Sequence, residues 1–280
     1  LLERTFGEEP GKRDLVSSGT HVGMAATSVL EPICLLYRYT GDARFLKFAR
    51  YIVHAYNQPH GPKIVVSLLE HGSVNRVANG KASELLSNLV GLTDLYRLTG
   101  ESDLLAAVLR AWEDVRRNHM YLTGTASAHE YFLADQFLPA GEISEIGEGC
   151  VTVGWLQLTW RLWKLTGEAR FGQEIERTVY NQLLGAQEPR TGDICYFTPM
   201  MGRKNPTPGI NCCVSSETRG ISLIPQMVWG VLDNALFVNL YTAGRARFEI
   251  KEQGQAVAVD VTSVTDFPAG GDVAMTVNPA

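Results

Sequence analysis

A repeated Thr-Gly turn between two apolar helical patterns is the feature that most limits the fold of this 280-residue chain. It occurs at residues 35–42 (LLYRYTGD), 95–101 (LYRLTGE) and 162–168 (LWKLTGE). In each copy the glycine suits the left-handed conformation that ends a helix, and the acidic residue after it suits the start of the next helix. The sequence therefore predicts helical hairpins of roughly 40 to 45 residues, spaced about 60 apart, with functional residues in the longer connections between hairpins.

The pattern changes after about residue 230. Short runs with strand character follow, several alternating apolar and polar residues, and turn residues such as Gly254 separate them. These runs lie at 236–241, 246–250, 256–261 and 273–277. We expect a mainly α chain, with a helical domain over residues 1–230 and the start of a β domain over residues 231–280.

The composition limits the class of partner. A chain that is 45% hydrophobic and 20% charged is an ordinary globular protein, and its net charge of −5 argues against nucleic acid or an anionic membrane as partner. No apolar run approaches the 18 residues of a membrane span, and Leu1–Arg4 lack the pattern of a signal peptide. We therefore expect a soluble protein. The missing initiator Met suggests a processed or partial chain, so compartment and oligomeric state are left without a prediction.

The five cysteines are an odd number, which argues against a disulfide framework. Three of them, Cys150, Cys212 and Cys213, together with Glu148 make up a complete tetrahedral donor set for zinc. The spacing fits no zinc-finger pattern, and the alternative is that the three thiols are small buried hydrophobic residues. A metal site is favoured for the set of four. The other two cysteines, Cys34 and Cys195, are expected to be packing residues.

Four short motifs together point to one family. They are residues 123–132 (TGTASAHEYF), 148–153 (EGCVTV), 176–181 (ERTVYN) and 211–213 (NCC). In this order the chain resembles glycoside hydrolase family 127, the β-L-arabinofuranosidases and their relatives. The resemblance implies an (α/α)6 barrel followed by β-sandwich domains, which agrees with the helical hairpins and the β tail. It also implies an incomplete barrel, without several N-terminal helices, and a partial sandwich.

The resemblance assigns roles to the donor set. Cys212 matches the zinc-bound cysteine nucleophile of the family, and Glu148, Cys150 and Cys213 match the other zinc ligands. Zinc is accordingly the expected cofactor. A thiol can act as nucleophile only when it is ionised, and metal coordination supplies that ionisation at neutral pH.

Three further residues receive roles from the same resemblance. Glu130 matches the general acid and base, and Tyr196 and Glu176 match positions that line the sugar pocket. A general acid at neutral pH needs a raised pKa, which the apolar neighbours of Glu130 are expected to provide. Without the resemblance, the simpler interpretation of Glu130 is an exposed loop carboxylate.

Other polar and aromatic residues have weaker signals. The candidates for the sugar pocket are His21, His71, His119, His129, Lys81 and Glu84. Each single histidine is more often a surface residue or a hydrogen-bonded core residue than a ligand. The tryptophans Trp155, Trp160 and Trp163 fall mostly at helical spacing, which favours core packing over stacking on a sugar.

The sequence thus predicts a zinc-dependent, retaining glycosidase that releases a pentofuranosyl residue, most simply β-L-arabinofuranose. Its partner is an arabinofuranoside-containing glycan, with no nucleic acid and no membrane. A second interpretation is a catalytically silent, carbohydrate-binding relative in which zinc is structural. A third, an epimerase or lyase on the same scaffold, stays open but does not explain the paired cysteines.

Overall fold

The computed structural model describes residues 1–137, 145–252 and 254–279. The chain divides into two units, Leu1–Glu217 and Thr218–Ala280. The predicted division at residue 230 stays a prediction, although the first strand does begin at Trp229.

Helices dominate the first unit. The helices of the first unit are α1 (Leu2–Thr5), α2 (Met24–Thr27), α3 (Leu30–Thr40), α4 (Ala43–Ala55), α5 (Ile64–His71), α6 (Ala82–Thr99), α7 (Ser102–Asp114), α8 (Gly149–Thr166) and α9 (Ala169–Arg177). Helix α10 (Cys212–Leu223) begins in this unit and ends in the second, and α11 (Pro225–Val228) lies in the second unit. Short 3-10 turns lie at Val16–Ser18, Val74–Arg76 and Leu184–Ala186, and π-helical turns at Val115–His119 and Thr178–Leu183. Within the described ranges, no helix is both long and apolar enough to cross a membrane.

The Thr-Gly turns form the predicted hairpins. Helix α3 packs on α4, α6 on α7, and α8 on α9, and α6 also packs on both α3 and α8. Gly41, Gly100 and Gly167 follow α3, α6 and α8 with φ values of 68°, 72° and 68°. This left-handed backbone is the one in which a glycine ends a helix without steric cost. The mainly helical fold predicted for this part of the chain is therefore confirmed.

The core of the first unit centres on stacked aromatic rings. Trp112 lies 5.3 Å from Trp155 in a parallel stack and 4.5 Å from Phe171 in an edge arrangement. Its indole Nε1 donates a 3.0 Å hydrogen bond to Thr159 Oγ1. Trp155 is therefore a core residue, as its helical spacing predicts. Trp160 is only half-buried, and Lys164 Nζ lies 3.4 Å from the centre of its ring.

Two glycines allow helices to approach closely. A Cβ at Gly91 on α6 would lie 2.8 Å from the Cβ and Cγ of Leu30 on α3. A Cβ at Gly154 on α8 would lie 3.1 Å from Leu86 Cβ on α6, which is tight but less severe. Small residues at these crossings let α3, α6 and α8 pack closely against one another.

The described residues of the second unit form two antiparallel sheets. Strands β1 (Trp229–Leu232) and β2 (Ala235–Val238) form a hairpin, and β3 (Gly244–Glu252), β4 (Gln255–Thr265) and β5 (Val273–Pro279) form a sheet in that order. In the larger sheet Phe248 faces Val259, and Val261 faces Val277. The predicted β tail is confirmed, but β1 was missed and the predicted run 236–241 extends beyond β2.

Candidate metal and catalytic site

The predicted zinc ligands come together at the first turns of two helices. Glu148 is the residue before α8 and Cys150 lies in its first turn, while Cys212 and Cys213 begin α10. Cys213 Sγ lies 3.6 Å from Cys150 Sγ and 4.0 Å from Cys212 Sγ, and ligand atoms of all four residues lie within 4.8 Å of one another. Thiolates bound 2.3 Å from a tetrahedral zinc are about 3.8 Å apart, so these spacings fit the ion.

Local backbone geometry aims these residues at one point. Gly147 has φ 68°, and the N–H of Gly149 donates to the carbonyl of Tyr196, which aligns residues 146–148 with the segment after Cys195. A Cβ at Gly149 would collide with Glu217 Oε1. Glycine at this position therefore lets α10 approach the start of α8, and the approach brings Cys213 next to Cys150.

Burial and mutual contact shift the pKa values of these four residues. Glu148 is only 2% exposed, and its Oε2 has no hydrogen-bond partner among the described residues. Burial, with the Cys150 thiolate adding to it, raises the pKa of Glu148 to about 8. The hydrogen bond with Cys213 is the main cause that lowers the pKa of Cys150 to about 6. A buried carboxylate with an unpartnered oxygen beside three thiols is the chemistry that a thiophilic divalent cation satisfies, so the donor set fits zinc.

The phenol of Tyr196 connects Glu130 to the group of Glu148, Cys150, Cys212 and Cys213, called the thiolate cluster from here on. The hydroxyl oxygen of Tyr196 lies 3.4 Å from Cys212 Sγ, and the hydroxyl donates a 2.7 Å hydrogen bond to Glu130 Oε1. Burial, together with the neighbouring Cys212 and Glu130, raises the pKa of Tyr196 far above its usual range, so the phenol stays protonated and remains a donor. Cys212 is exposed, Cys150 is half-buried and Cys213 is fully buried, so Cys212 is the most accessible of the three thiols.

Glu130 is held in a strained loop and paired with a lysine. His129 and Glu130 have φ values of 50° and 69°, a left-handed conformation that is costly for non-glycine residues. The backbone carbonyl of Glu130 accepts a 3.0 Å hydrogen bond from Ala82 N. The side-chain Oε2 of Glu130 forms an ion pair with Lys81 Nζ. The loop backbone and the ion pair together fix where the carboxylate lies.

The pKa of Glu130 moves in the direction opposite to the one expected from its apolar neighbours. Burial alone would raise it, but the hydrogen bonds from Lys81 and Tyr196 more than offset burial and lower it. Lys81 is the residue before α6 and lies 49 residues before Glu130 in the chain. The sequence made it only a weak candidate. Its position identifies it, together with Tyr196, as a residue that lowers the pKa of Glu130.

The other predicted pocket residues are distributed differently. Glu176 lies half-buried on α9, and none of the hydrogen bonds or ion pairs found in the described ranges joins it to the cluster, so its role stays a prediction. His21 Nε2 lies 3.7 Å from Glu84 Oε1. His129 pairs with Glu145 and His71 with Glu70, both on exposed surface.

One buried acid beside the cluster was missed by the sequence analysis. Glu217 is fully buried on α10, and within the described part of the chain neither carboxylate oxygen has a hydrogen-bond partner. Burial, with the charge of Cys150, raises its pKa to about 9. Its position four residues after Cys213 puts it on the same face of α10, a spacing that could have identified it.

Comparison with known proteins decides the family. The family model described as the GH127 catalytic domain of β-L-arabinofuranosidase matches residues 3–226. The chain belongs to the GH127 family. The GH127 membership indicated by the four motifs is therefore confirmed.

Relatives of this GH127 chain are longer than the chain itself. A non-reducing-end β-L-arabinofuranosidase of Bifidobacterium longum subsp. longum is 22% identical, over 99% of this chain and 46% of the relative. A solved GH127 β-arabinofuranosidase structure has a TM-score of 0.80 at 25% identity, over 99% of this chain and 43% of its own. A GH127 β-L-arabinofuranosidase of Geobacillus stearothermophilus T6 has a TM-score of 0.73 at 20% identity, over 99% and 48%. The chain thus spans about half the length of these relatives.

Proposed function

We propose that this chain contains the active site of a retaining GH127 glycosidase that releases a β-L-arabinofuranosyl residue from the non-reducing end of a glycan. Cys212 is the nucleophile, Glu130 is the general acid and base, and Glu148, Cys150, Cys212 and Cys213 hold zinc. Tyr196 and Glu176 line the sugar pocket. The family of the chain and the activity of the B. longum relative support the substrate class.

The observation that carries the proposal is the bridge through Tyr196. The hydroxyl oxygen of Tyr196 lies 3.4 Å from Cys212 Sγ and 2.7 Å from Glu130 Oε1. The distance between Cys212 Sγ and Glu130 Oε1 cannot exceed the sum of these two, so it is at most about 6 Å. Retaining glycosidases separate their two catalytic groups by about 5 to 5.5 Å, whereas inverting enzymes need about 6.5 to 9.5 Å to admit a water. The spacing therefore favours double displacement.

The proposed reaction has two steps. In the first, the Cys212 thiolate forms a bond to the anomeric carbon while the bond to the leaving-group oxygen breaks, and Glu130 gives that oxygen its proton. In the second, Glu130 takes a proton from water, the water oxygen bonds to the anomeric carbon, and Cys212 departs as a thiolate. Bound zinc would supply the acidity that keeps the coordinating thiols deprotonated.

A second candidate is a non-catalytic, carbohydrate-binding relative with structural zinc. Four protein ligands lie together, and structural zinc sites are typically closed by four such ligands. Exposure of Cys212 and its distance to Glu130 favour the catalytic interpretation.

The deciding experiment compares Cys212→Ser with Cys195→Ser in hydrolysis of an aryl β-L-arabinofuranoside. Cys195 is buried outside the donor set, so its variant controls for loss of a thiol. We expect turnover to vanish only in Cys212→Ser, with unchanged helical circular dichroism. Turnover retained in Cys212→Ser would remove the cysteine from the mechanism, and zinc without turnover in the parent chain would favour the structural interpretation.

A further inference from the structure

A second group of metal-ligand side chains lies behind the loop that carries Glu130. Asp114 ends α7, His119 ends the π-helical turn that follows it, and Asp135 lies in the loop after Glu130. His119 Nε2 is 3.4 Å from Asp114 Oδ2 and 3.9 Å from Asp135 Oδ1, and the three ligand atoms lie within 4.8 Å of one another. One imidazole nitrogen thus stands between carboxylates from two separate elements.

The two distances from His119 Nε2 to the carboxylate oxygens are longer than those of hydrogen bonds. His119 is only 8% exposed, and its Nε2 has no hydrogen-bond partner in the parts of the chain that the structure describes. Nitrogen to oxygen hydrogen bonds measure about 2.7 to 3.2 Å, so both separations are too long. Two ligands about 2.1 Å from a metal ion lie about 3.0 Å apart at right angles and about 4.2 Å apart when opposite. Both separations fall inside that interval.

Hydrogen bonds from outside the group orient both carboxylates. Val74 N donates to Asp114 Oδ2 at 2.7 Å, and Asn118 Nδ2 donates to Asp114 Oδ1 at 2.7 Å. Asn75 Nδ2 donates to Asp135 Oδ1 at 3.1 Å. Each carboxylate oxygen still has a lone pair for an ion, and outer hydrogen bonds of this kind are typical around metal-binding carboxylates.

Charge adds a separate argument. Asp114 is 8% exposed and accepts hydrogen bonds from Val74 N and Asn118 Nδ2, so a buried acidic group faces His119. Two carboxylates carry two negative charges, which one divalent cation neutralises and a single imidazolium does not. One imidazole and two carboxylates are ligands that zinc and similar transition metals accept.

We propose that Asp114, His119 and Asp135 bind a divalent transition-metal ion of the zinc class, separate from the thiolate site. The ion ties the loop that follows Glu130 to the end of α7, next to the contact in which Gln136 N donates to Asn118 O at 2.7 Å. Its role is to hold that loop in its strained conformation. The proposal depends on neither the thiolate site nor glycosidase activity.

The test is zinc content by elemental mass spectrometry, after loading with zinc and dialysis. We expect two zinc ions per chain in the parent, one in Asp135→Asn and one in Cys150→Ala. Asp103→Asn, an exposed aspartate on α7, is the control and should keep two. The double variant Cys150→Ala, Asp135→Asn should keep none. Loss of Asp135 should lower the zinc affinity of this site by at least about tenfold.

A second measurement tests whether a bound metal ion stabilises the protein. In the Cys150→Ala background, a chelator should lower the melting temperature, and the same chelator should leave His119→Gln unchanged. If zinc content does not respond to Asp135→Asn, or the chelator has no effect in this background, the group of Asp114, His119 and Asp135 holds no metal ion and the proposal is wrong. Failure of the thiolate site would instead appear as a zinc content that Cys150→Ala does not change.

Discussion

The hydroxyl of Tyr196 donates a 2.7 Å hydrogen bond to Glu130 Oε1. The same oxygen lies 3.4 Å from Cys212 Sγ, so one phenol positions both proposed catalytic groups. These groups come from segments far apart in the chain, and Tyr196 adds a direct link between them to the loop backbone and the ion pair that hold Glu130.

The variant Tyr196→Phe tests this bridge. It keeps the ring that would contact the sugar and removes only the hydroxyl. A hydrogen bond to a charged group is worth about 1.5 to 3 kcal/mol, so we expect kcat to fall roughly 10- to 100-fold with little change in KM. Steady-state kinetics measures kcat and KM. The control is Tyr121→Phe, which removes the hydroxyl that Tyr121 donates to the Phe137 carbonyl. Equal losses in both variants would argue against a specific role for Tyr196.

Glu130→Gln separates proton transfer from metal binding. The amide keeps the shape of the carboxylate but cannot donate or accept the catalytic proton. We expect zinc content to stay unchanged and hydrolysis of substrates with poor leaving groups to be lost, because those leaving groups need protonation. Glu145→Gln, another carboxylate of the same region that pairs with His129, is the control. Loss of zinc in Glu130→Gln would make Glu130 a ligand and the assignment of Glu148 wrong.

Lys81→Met should move the pH profile of the proposed reaction upward. Lys81 lowers the pKa of Glu130, so removal of its charge raises that pKa. The first step needs protonated Glu130, and a higher pKa keeps it protonated to higher pH. We therefore expect the alkaline limb of kcat/KM to shift to higher pH. Lys81→Arg should keep the original limb. Lys47→Met, which removes an exposed lysine on α4, should also leave the limb in place. An unchanged limb in Lys81→Met would show that Lys81 does not tune Glu130.

Zinc binding to the metal-free protein should release protons in a number set by the shifted pKa values. At pH 7, Glu148, with its pKa near 8, is mostly protonated, and burial raises the pKa of Cys212. Cys213 also has a raised pKa, chiefly through its hydrogen bond with Cys150, whereas Cys150, with its pKa near 6, is mostly a thiolate.

All four ligands are deprotonated when bound, so about three protons should leave per zinc ion at this site. Calorimetry in buffers of different ionisation enthalpy measures the number, in the Asp135→Asn background so that only the thiolate site is counted. At pH 9 the number should fall to about two, because Glu148 is then already ionised. Glu148→Gln should release about one proton fewer at pH 7. Four protons at pH 7 would contradict the thiolate state of Cys150.

Gly91→Ala and Gly154→Ala test the close helix crossings. At Gly91 the new methyl would lie 2.8 Å from the side chain of Leu30, and overpacking of this kind costs about 1 to 3 kcal/mol. At Gly154 the approach to Leu86 is 3.1 Å, and the gain in helix propensity of up to about 1 kcal/mol largely offsets it. Denaturant unfolding should show a clear loss of stability for Gly91→Ala and a smaller change for Gly154→Ala. The reverse order would mean that α3 and α6 are not tightly packed at Leu30.

The sequence by itself determined the elements of this protein and the chemistry of its donor set. Thr-Gly turns and apolar periodicity are local signals, so they predicted the α3–α4, α6–α7 and α8–α9 hairpins, and alternation predicted most of the strands. Residue type limits metal preference, so Glu148, Cys150, Cys212 and Cys213 could be grouped as zinc ligands, and the motifs gave the GH127 family.

Only the tertiary structure decided how the charged groups act on one another. The ion pair of Lys81 with Glu130 joins residues 49 apart, and it reversed the expected direction of the Glu130 pKa. The full burial of Glu217 and the convergence of Asp135 on His119 likewise depend on how loops and helices approach. Desolvation and Coulomb energy depend on distances in space, and a local sequence pattern contains no such distances.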